Sequence, residues 1–164
     1  MTPPAIVPWH IIAIDPGHST GWARGNTTQG PIDCGMGMTY PAVDHFAVIE
    51  LPEVRRGGEA KRENIITLAL NCGRHVQILK DRPHGVFTVP PRNWKGSIKK
   101  EMHQPRIREA VAKYPHGARF LATADATYGG KAHNVIDALG LLLWALERVQ
   151  MGGLYAFELY RCTL

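Results

Sequence analysis

The sequence has 164 residues, of which 45% are hydrophobic and 20% charged, and this balance is typical of one soluble globular domain spanning residues 1–164. Its formal net charge of +5 at pH 7 favours polyanionic partners such as nucleic acid. Cys34, Cys72 and Cys162 show no CxxC spacing, which argues against a disulfide framework and against a structural zinc site.

Short apolar runs separated by turn residues predict the strands. The first run ends abruptly in Asp15-Pro16-Gly17, and two further strands follow it as a meander across Gly- and Asn-rich turns. Another apolar run ends at Glu50, and the last strand is stopped by Pro90-Pro91. The predicted strands span 11–14, 19–23, 32–38, 46–51 and 85–89.

Three helices are predicted from the spacing of apolar residues and from the position of proline. Apolar residues at three- and four-residue steps indicate an amphipathic helix over 65–79, and Pro105 can open a second helix. The last helix, 133–149, is apolar on nearly every side and is expected to pack centrally. Strands in a meander, followed by strands alternating with helices, predict an α/β domain with a mixed sheet.

The longest apolar run, 138–146, is far shorter than the roughly 18 residues that cross a bilayer. The first residues also lack a basic segment followed by an apolar one, which is the pattern of a signal peptide. We therefore expect a cytoplasmic protein without membrane contact.

Three acidic residues interrupt apolar stretches of these elements. Asp15 ends the first strand, Glu50 lies near the end of another, and Asp137 lies on the last helix. A carboxylate in apolar surroundings is costly to desolvate unless it is paired or bound to a metal, and no Lys or Arg stands beside these three in sequence. Mg²⁺ or Mn²⁺ from solution is therefore a candidate partner. The alternatives are a turn-forming role for Asp15 and a solvent-facing side chain for Glu50.

Two more residues with metal-ligand chemistry precede Asp137 on the same helix. His133 and Asn134 lie four and three residues before it, and at about 100° per residue both fall within roughly 60° of it around the helix axis. One helical face thus presents a carboxylate with an amide oxygen, an imidazole, or both. Asn134 is also a candidate helix cap, and His133 a candidate surface histidine.

At these residues the sequence resembles the RuvC-type Holliday junction resolvases. The segment IIAIDPGHSTGWA (11–23) is similar to their first strand, aspartate-bearing turn and second strand, and FAVIE (46–50) to the strand that delivers their glutamate. HNVIDALGLLLWAL (133–146) is similar to their last helix, where two metal ligands are three residues apart. The WKG…KKE…H segment (94–103) is similar to phage-type members, and the whole resemblance covers most of the chain in the right order.

The resemblance implies a ribonuclease H-like α/β fold, with a mixed five-stranded sheet flanked by helices, and a homodimer that resolves four-way DNA junctions by paired nicks. It implies catalytic roles for Asp15, Glu50, Asn134 and Asp137. Asn134 stands where many members have Asp and some have His, so the fourth metal ligand is either Asn134 or His133. Two Mg²⁺ ions about 4 Å apart, for which Mn²⁺ can substitute, would support in-line hydrolysis of a phosphodiester.

Basic residues in two segments without an apolar period are candidate phosphate contacts, although a solvated surface is the alternative. Lys99 or Lys100 is also a candidate for stabilising charge in the transition state. The first cluster comprises Arg55, Arg56, Lys61 and Arg62. The second comprises Arg92, Lys95, Lys99, Lys100, Arg106 and Arg108, interleaved with Trp94 and His103.

Three other functions are compatible with parts of this pattern. A broader phage enzyme that debranches replicating DNA would share the fold and the acidic residues. An actin- or sugar-kinase-like ATPase also has phosphate loops after a strand ending in Asp and Gly, but it needs two such domains and 164 residues provide one. A non-catalytic DNA-binding protein would not need all three acids.

Overall fold

A mixed five-stranded sheet is the centre of the computed structural model, which describes residues 8–41, 45–53 and 62–162. The strands are β1 His10–Asp15, β2 Gly21–Asn26, β3 Gly30–Met36, β4 Phe46–Glu50 and β5 Val86–Val89. The sheet order is β3-β2-β1-β4-β5. β1 pairs antiparallel with β2, β2 pairs antiparallel with β3, and β4 and β5 run parallel to β1.

Helices cover both faces of the sheet. One face packs against α3, α4, α5 and a C-terminal 3-10 helix, and the other packs against α1. The helices are α1 Arg62–Leu79, α2 Pro91–Trp94, α3 Lys100–Ala112, α4 Gly117–Tyr128 and α5 Ala132–Gly152, followed by the 3-10 helix Gly153–Tyr160. The prediction of an α/β fold with a mixed five-stranded sheet flanked by helices is confirmed, and this arrangement is consistent with the predicted ribonuclease H-like fold.

Alternation along the strands decides which side chains reach which face. Ile11 and Ala13 of β1 lie in the core beneath α5, whereas Ile12 and Ile14 lie in the core beneath α1. All four are fully buried, which explains why β1 reads as a continuous apolar run rather than an alternating one. Within the described ranges, no helix is both long and apolar enough to span a bilayer.

Several boundaries and elements differ from the prediction. The helix expected to open at Pro105 begins five residues earlier, at Lys100, and continues through the proline. The strand expected at 19–23 begins at Gly21 and continues to Asn26, whose side chain then accepts hydrogen bonds from Thr28 and Gln29 to form the turn. Neither α4 nor the 3-10 helix was predicted; the latter inserts the fully buried Phe157 against Phe46 and Phe87.

Candidate active site

Asp15 and Glu50 lie side by side at the carboxyl ends of two parallel strands. Ile14 of β1 pairs with Ile49 of β4, so the two acids follow in the same register. Alternation places both on the α5 face, because Ala13 and Val48, two residues before them, lie beneath α5. Two predicted site residues are therefore brought together by strand register alone.

The first two turns of α5 add Asn134 and Asp137, each only 9% exposed. The helix approaches the sheet closely at Gly21, where an added Cβ would lie 2.2 Å from the Asn134 carbonyl oxygen. An added Cβ at Gly17 would lie 3.4 Å from Asn134 Oδ1 and 3.8 Å from Asp15 Oδ1. Glycines in the turn and at the start of β2 thus allow α5 to bring its polar residues beside Asp15.

A lysine that sequence reasoning assigned to DNA contact lies inside this cluster. Lys95 Nζ is 2.9 Å from Glu50 Oε2 and 3.1 Å from Asp137 Oδ2, with the lysine side chain 18% exposed. No Lys or Arg stands beside these acids in the sequence, but the structure gives two of them a basic partner. Lys95 is 45 residues from Glu50 along the chain, and only the fold brings it near.

Two neutral donors complete the contacts of the carboxylates. Trp94 Nε1 donates to Glu50 Oε2 at 2.9 Å, and Gln104 Nε2 donates to Asp137 Oδ1 and, at 3.3 Å, to the His133 carbonyl. Trp94 is seated against Gly140, where an added Cβ would lie 2.8 Å from the indole ring. Gly140 lies one turn after Asp137 on α5. The same helix therefore carries the Asp137 carboxylate and leaves space for Trp94, which hydrogen-bonds Glu50.

Burial and incomplete neutralisation determine the electrostatics. Burial, together with the carboxylates of Glu50 and Asp137, raises the pKa of Asp15 to about 7. Burial also raises the pKa of Glu50, although Lys95 opposes the shift. Burial would lower the pKa of Lys95, but Glu50 and Asp137 more than compensate and raise it. Among the described residues, three acids share one ammonium group, so negative charge is in excess in this part of the pocket.

The two candidates for a fourth metal ligand are placed differently. Asn134 Oδ1 faces the Gly17 turn beside Asp15, whereas His133 Nδ1 hydrogen-bonds the Gly130 carbonyl at 2.9 Å. Over the described ranges, no three His, Cys, Asp or Glu side chains stand in an arrangement that would hold a metal ion as they are. Lys95 instead lies between Glu50 and Asp137.

The predicted DNA-contact residues fall into several groups. His103 is buried, with its ring edge-on to Trp94 at 5.1 Å, and burial lowers the pKa of this histidine. Arg92 pairs with Glu53, and Arg108 makes a two-point ion pair with Asp125. Exposed positions are held by Lys99 and Arg106. Arg55, Arg56 and Lys61 lie outside the described residues, as do the side chains of Arg62 and Lys100.

Sequence reasoning missed Gln104 entirely and gave Lys95 a surface role. Both residues belong to the 94–104 segment, where a charged and polar composition is typical of a solvated loop. The available signal was position in the chain, because this segment begins a few residues after β5, and Val89 at the end of β5 pairs with Glu50.

No protein-family model matches this chain, and no curated protein matches it either. Among solved structures of this kind of fold, the chain is similar to T. thermophilus RuvC in complex with a Holliday junction substrate. The identity is 14% and the TM-score 0.49, with 88% of this chain and 97% of that chain covered. The fold assigned above rests on the strand order and helix layers of this chain itself.

Proposed function

We propose that this protein is a divalent-metal-dependent DNA endonuclease that resolves four-way junctions, as the sequence resemblance to RuvC-type enzymes of the phage-like kind implies. The observation that supports this most directly is that Asp15, Glu50 and Asp137 converge around the ammonium group of Lys95 at one end of the sheet. Burial and the two neighbouring carboxylates raise the pKa of Asp15 to about 7. A cation that binds these acids would relieve their repulsion.

The donor set fits Mg²⁺, for which Mn²⁺ can substitute. Asp15, Glu50 and Asp137 would hold the metal through hard carboxylate oxygens, with Asn134 as the preferred fourth ligand because its amide oxygen faces the Asp15 turn. His133 is the alternative, and two ions per site is the stoichiometry that the resemblance implies. The bound metal supplies a nucleophilic water and neutralises charge on the phosphate.

The neighbouring side chains of this chain position the acids and add positive charge. Trp94 and Gln104 each hold one oxygen of a carboxylate, which fixes the rotamers of Glu50 and Asp137. Lys95 neutralises those two acids in the metal-free protein. With a metal bound to these acids, the ammonium group of Lys95 would be available to stabilise negative charge that develops on the phosphate.

Branched DNA is the proposed substrate, and a homodimer is the proposed assembly because a two-fold junction requires two nicks from a two-fold enzyme. Lys99 and Arg106, both exposed on the segment that carries Trp94 and His103, are the proposed phosphate contacts. Arg55, Arg56 and Lys100 are proposed for the same role from sequence alone.

The test is a nicking assay on a synthetic four-way junction, with Mg²⁺ or with EDTA. We expect paired nicks only with the metal, and Asp15→Asn should lower the rate by at least about a thousandfold while leaving junction binding largely intact. Y-shaped and flap substrates run in parallel separate a junction resolvase from a broader debranching enzyme. Cleavage at a normal rate by Asp15→Asn would rule out the proposed site, and junction binding without any nicking would indicate a non-catalytic DNA-binding protein.

A further inference from the structure

A histidine is buried in the apolar layer on the face of the sheet opposite the carboxylates. His75 of α1 is 1% exposed, and its neighbours in that layer are Cys72, Val76 and Leu79. The candidate active site makes no contact with it. An apolar side chain would fill this position without the cost of burying a polar ring, so the hydrogen bonds of His75 need an explanation.

Both ring nitrogens of His75 are hydrogen-bonded. Nε2 lies 3.1 Å from Thr20 Oγ1, and Nδ1 pairs with the Tyr40 hydroxyl. The Thr20 hydroxyl also lies 3.5 Å from the Gly17 carbonyl, to which it can donate. Burial lowers the pKa of His75 to about 4, which keeps the ring neutral near pH 7.

The series of hydrogen bonds ends on the turn that holds Asp15. Asn71 of α1 also donates to the Gly17 carbonyl at 3.5 Å, so two side chains make long hydrogen bonds to this one oxygen. The backbone N–H of Gly17 donates to the Asp15 carboxylate. Gly17 is thus fixed through its carbonyl on one face of the sheet while it orients the acid on the other.

We propose that Tyr40, His75 and Thr20 are positioning residues that hold the Asp15-Pro16-Gly17 turn, and with it the Asp15 carboxylate, in the geometry needed to bind a divalent metal. The inference rests on the proposed function, because it assigns a purpose to the orientation of Asp15. The network reaches the Asp15 carboxylate through the backbone of Gly17. Its three side chains are therefore positioning residues and not metal ligands.

The decisive variant combines Thr20→Val, Tyr40→Phe and His75→Leu. Because all three polar groups are removed together, no donor or acceptor among them is left buried and unpaired, and the thermal midpoint should be unchanged or higher. Mn²⁺ affinity, measured by calorimetry, should fall about tenfold, which is the usual effect of losing a partner that orients a metal ligand. Hydrogen exchange at the Gly17 amide should become faster, and metal-free DNA binding should not change.

The matched control is Val76→Ala, which removes buried apolar volume next to His75 without removing a hydrogen bond. It should lower the thermal midpoint but leave Mn²⁺ affinity and Gly17 exchange at the wild-type values. Should the triple variant not fold, Tyr40→Phe alone must show a smaller loss of Mn²⁺ affinity and a smaller gain in Gly17 exchange.

Unchanged Mn²⁺ affinity and unchanged Gly17 exchange in a folded variant would overturn the inference and leave the network as core packing. A wild-type protein that binds no Mn²⁺ would instead refute the proposed function. In that case the exchange measurement at Gly17 still decides whether the network holds the turn, so the two failures can be told apart.

Discussion

Two groups of polar side chains are buried on opposite faces of one sheet, and they differ in charge and in hydrogen bonding. On the α5 face, and within the described ranges, three acids share the ammonium group of Lys95. On the α1 face, Tyr40, His75 and Thr20 are neutral, and each finds a partner. Both groups meet at the Gly17 turn, one through its N–H and the other through its carbonyl.

The difference shows which kind of buried polar group indicates function. A neutral network with all its partners stabilises one conformation and needs nothing from solution. A cluster with excess negative charge is less stable when empty than when a cation is bound, so its instability is itself a reason to expect a ligand. Substitutions in either cluster test this difference.

The largest effect should come from removing the resident cation with Lys95→Met. In EDTA the variant should lose about 2 to 4 kcal/mol of unfolding free energy, because two buried carboxylates lose their shared partner. Its Mn²⁺ affinity should rise by about tenfold, since the metal no longer has to displace an ammonium group. Urea unfolding and Mn²⁺ titration measure the two quantities.

Lys99→Met is the matched control, because Lys99 is an exposed lysine in the same segment. It should leave both the stability and the metal affinity near the wild-type values. Weaker Mn²⁺ binding by Lys95→Met than by the wild type would mean that Lys95 stays beside the bound metal in the wild-type protein. That result would refute the proposal that the metal displaces the Lys95 ammonium group.

The two clusters should respond to pH in opposite directions in the metal-free protein. The folded pKa of Asp15 is about 7 against an ordinary value of 3.8, so stability from this group is complete below pH 4 and is lost as pH rises through 7. The folded pKa of His75 is about 4 against 6.5, so its contribution is complete above 6.5 and is lost as pH falls toward 4. Each effect should be on the order of 1 to 3 kcal/mol.

Unfolding free energies measured in EDTA across this pH range test the prediction with one variant for each cluster. Asp15→Asn should remove most of the loss on the alkaline side, and His75→Leu should remove the loss on the acid side. Saturating Mg²⁺ should also abolish the alkaline loss in the wild type. A wild-type curve that rises steadily with pH would contradict the assignment for Asp15.

The positions of the acids could be predicted from the sequence, because each depends on local pattern. Asp15 and Glu50 end apolar strands, and alternation places them on one face once the two strands are parallel neighbours. Asp137 stands out because acids are rare inside apolar helices.

The cation and the supporting network could not be predicted, since they depend on long-range packing. Lys95 and Gln104 belong to a segment with no period, and His75 is separated by 55 residues from Thr20. Pro105 predicts a helix start because proline favours the first turn, but α3 begins at Lys100, and Gln104 of α3 hydrogen-bonds Asp137. Local propensity was overridden here by tertiary contacts.

The smallest effect should come from cations that belong to neither cluster. Lys99→Ala combined with Arg106→Ala removes two exposed charges beside the site, and should lower the slope of log K for DNA binding against log salt by about 1 to 2. Fluorescence anisotropy with a labelled junction in EDTA measures this slope without cleavage. Arg108→Ala is the control, because Arg108 is already paired with Asp125, and its slope should stay near the wild-type value. Equal slopes in the wild type, the double variant and Arg108→Ala would place the DNA on another surface. A reduced slope with unchanged Mn²⁺ affinity in the double variant would show that its two cations contact phosphate and do not contribute to metal binding.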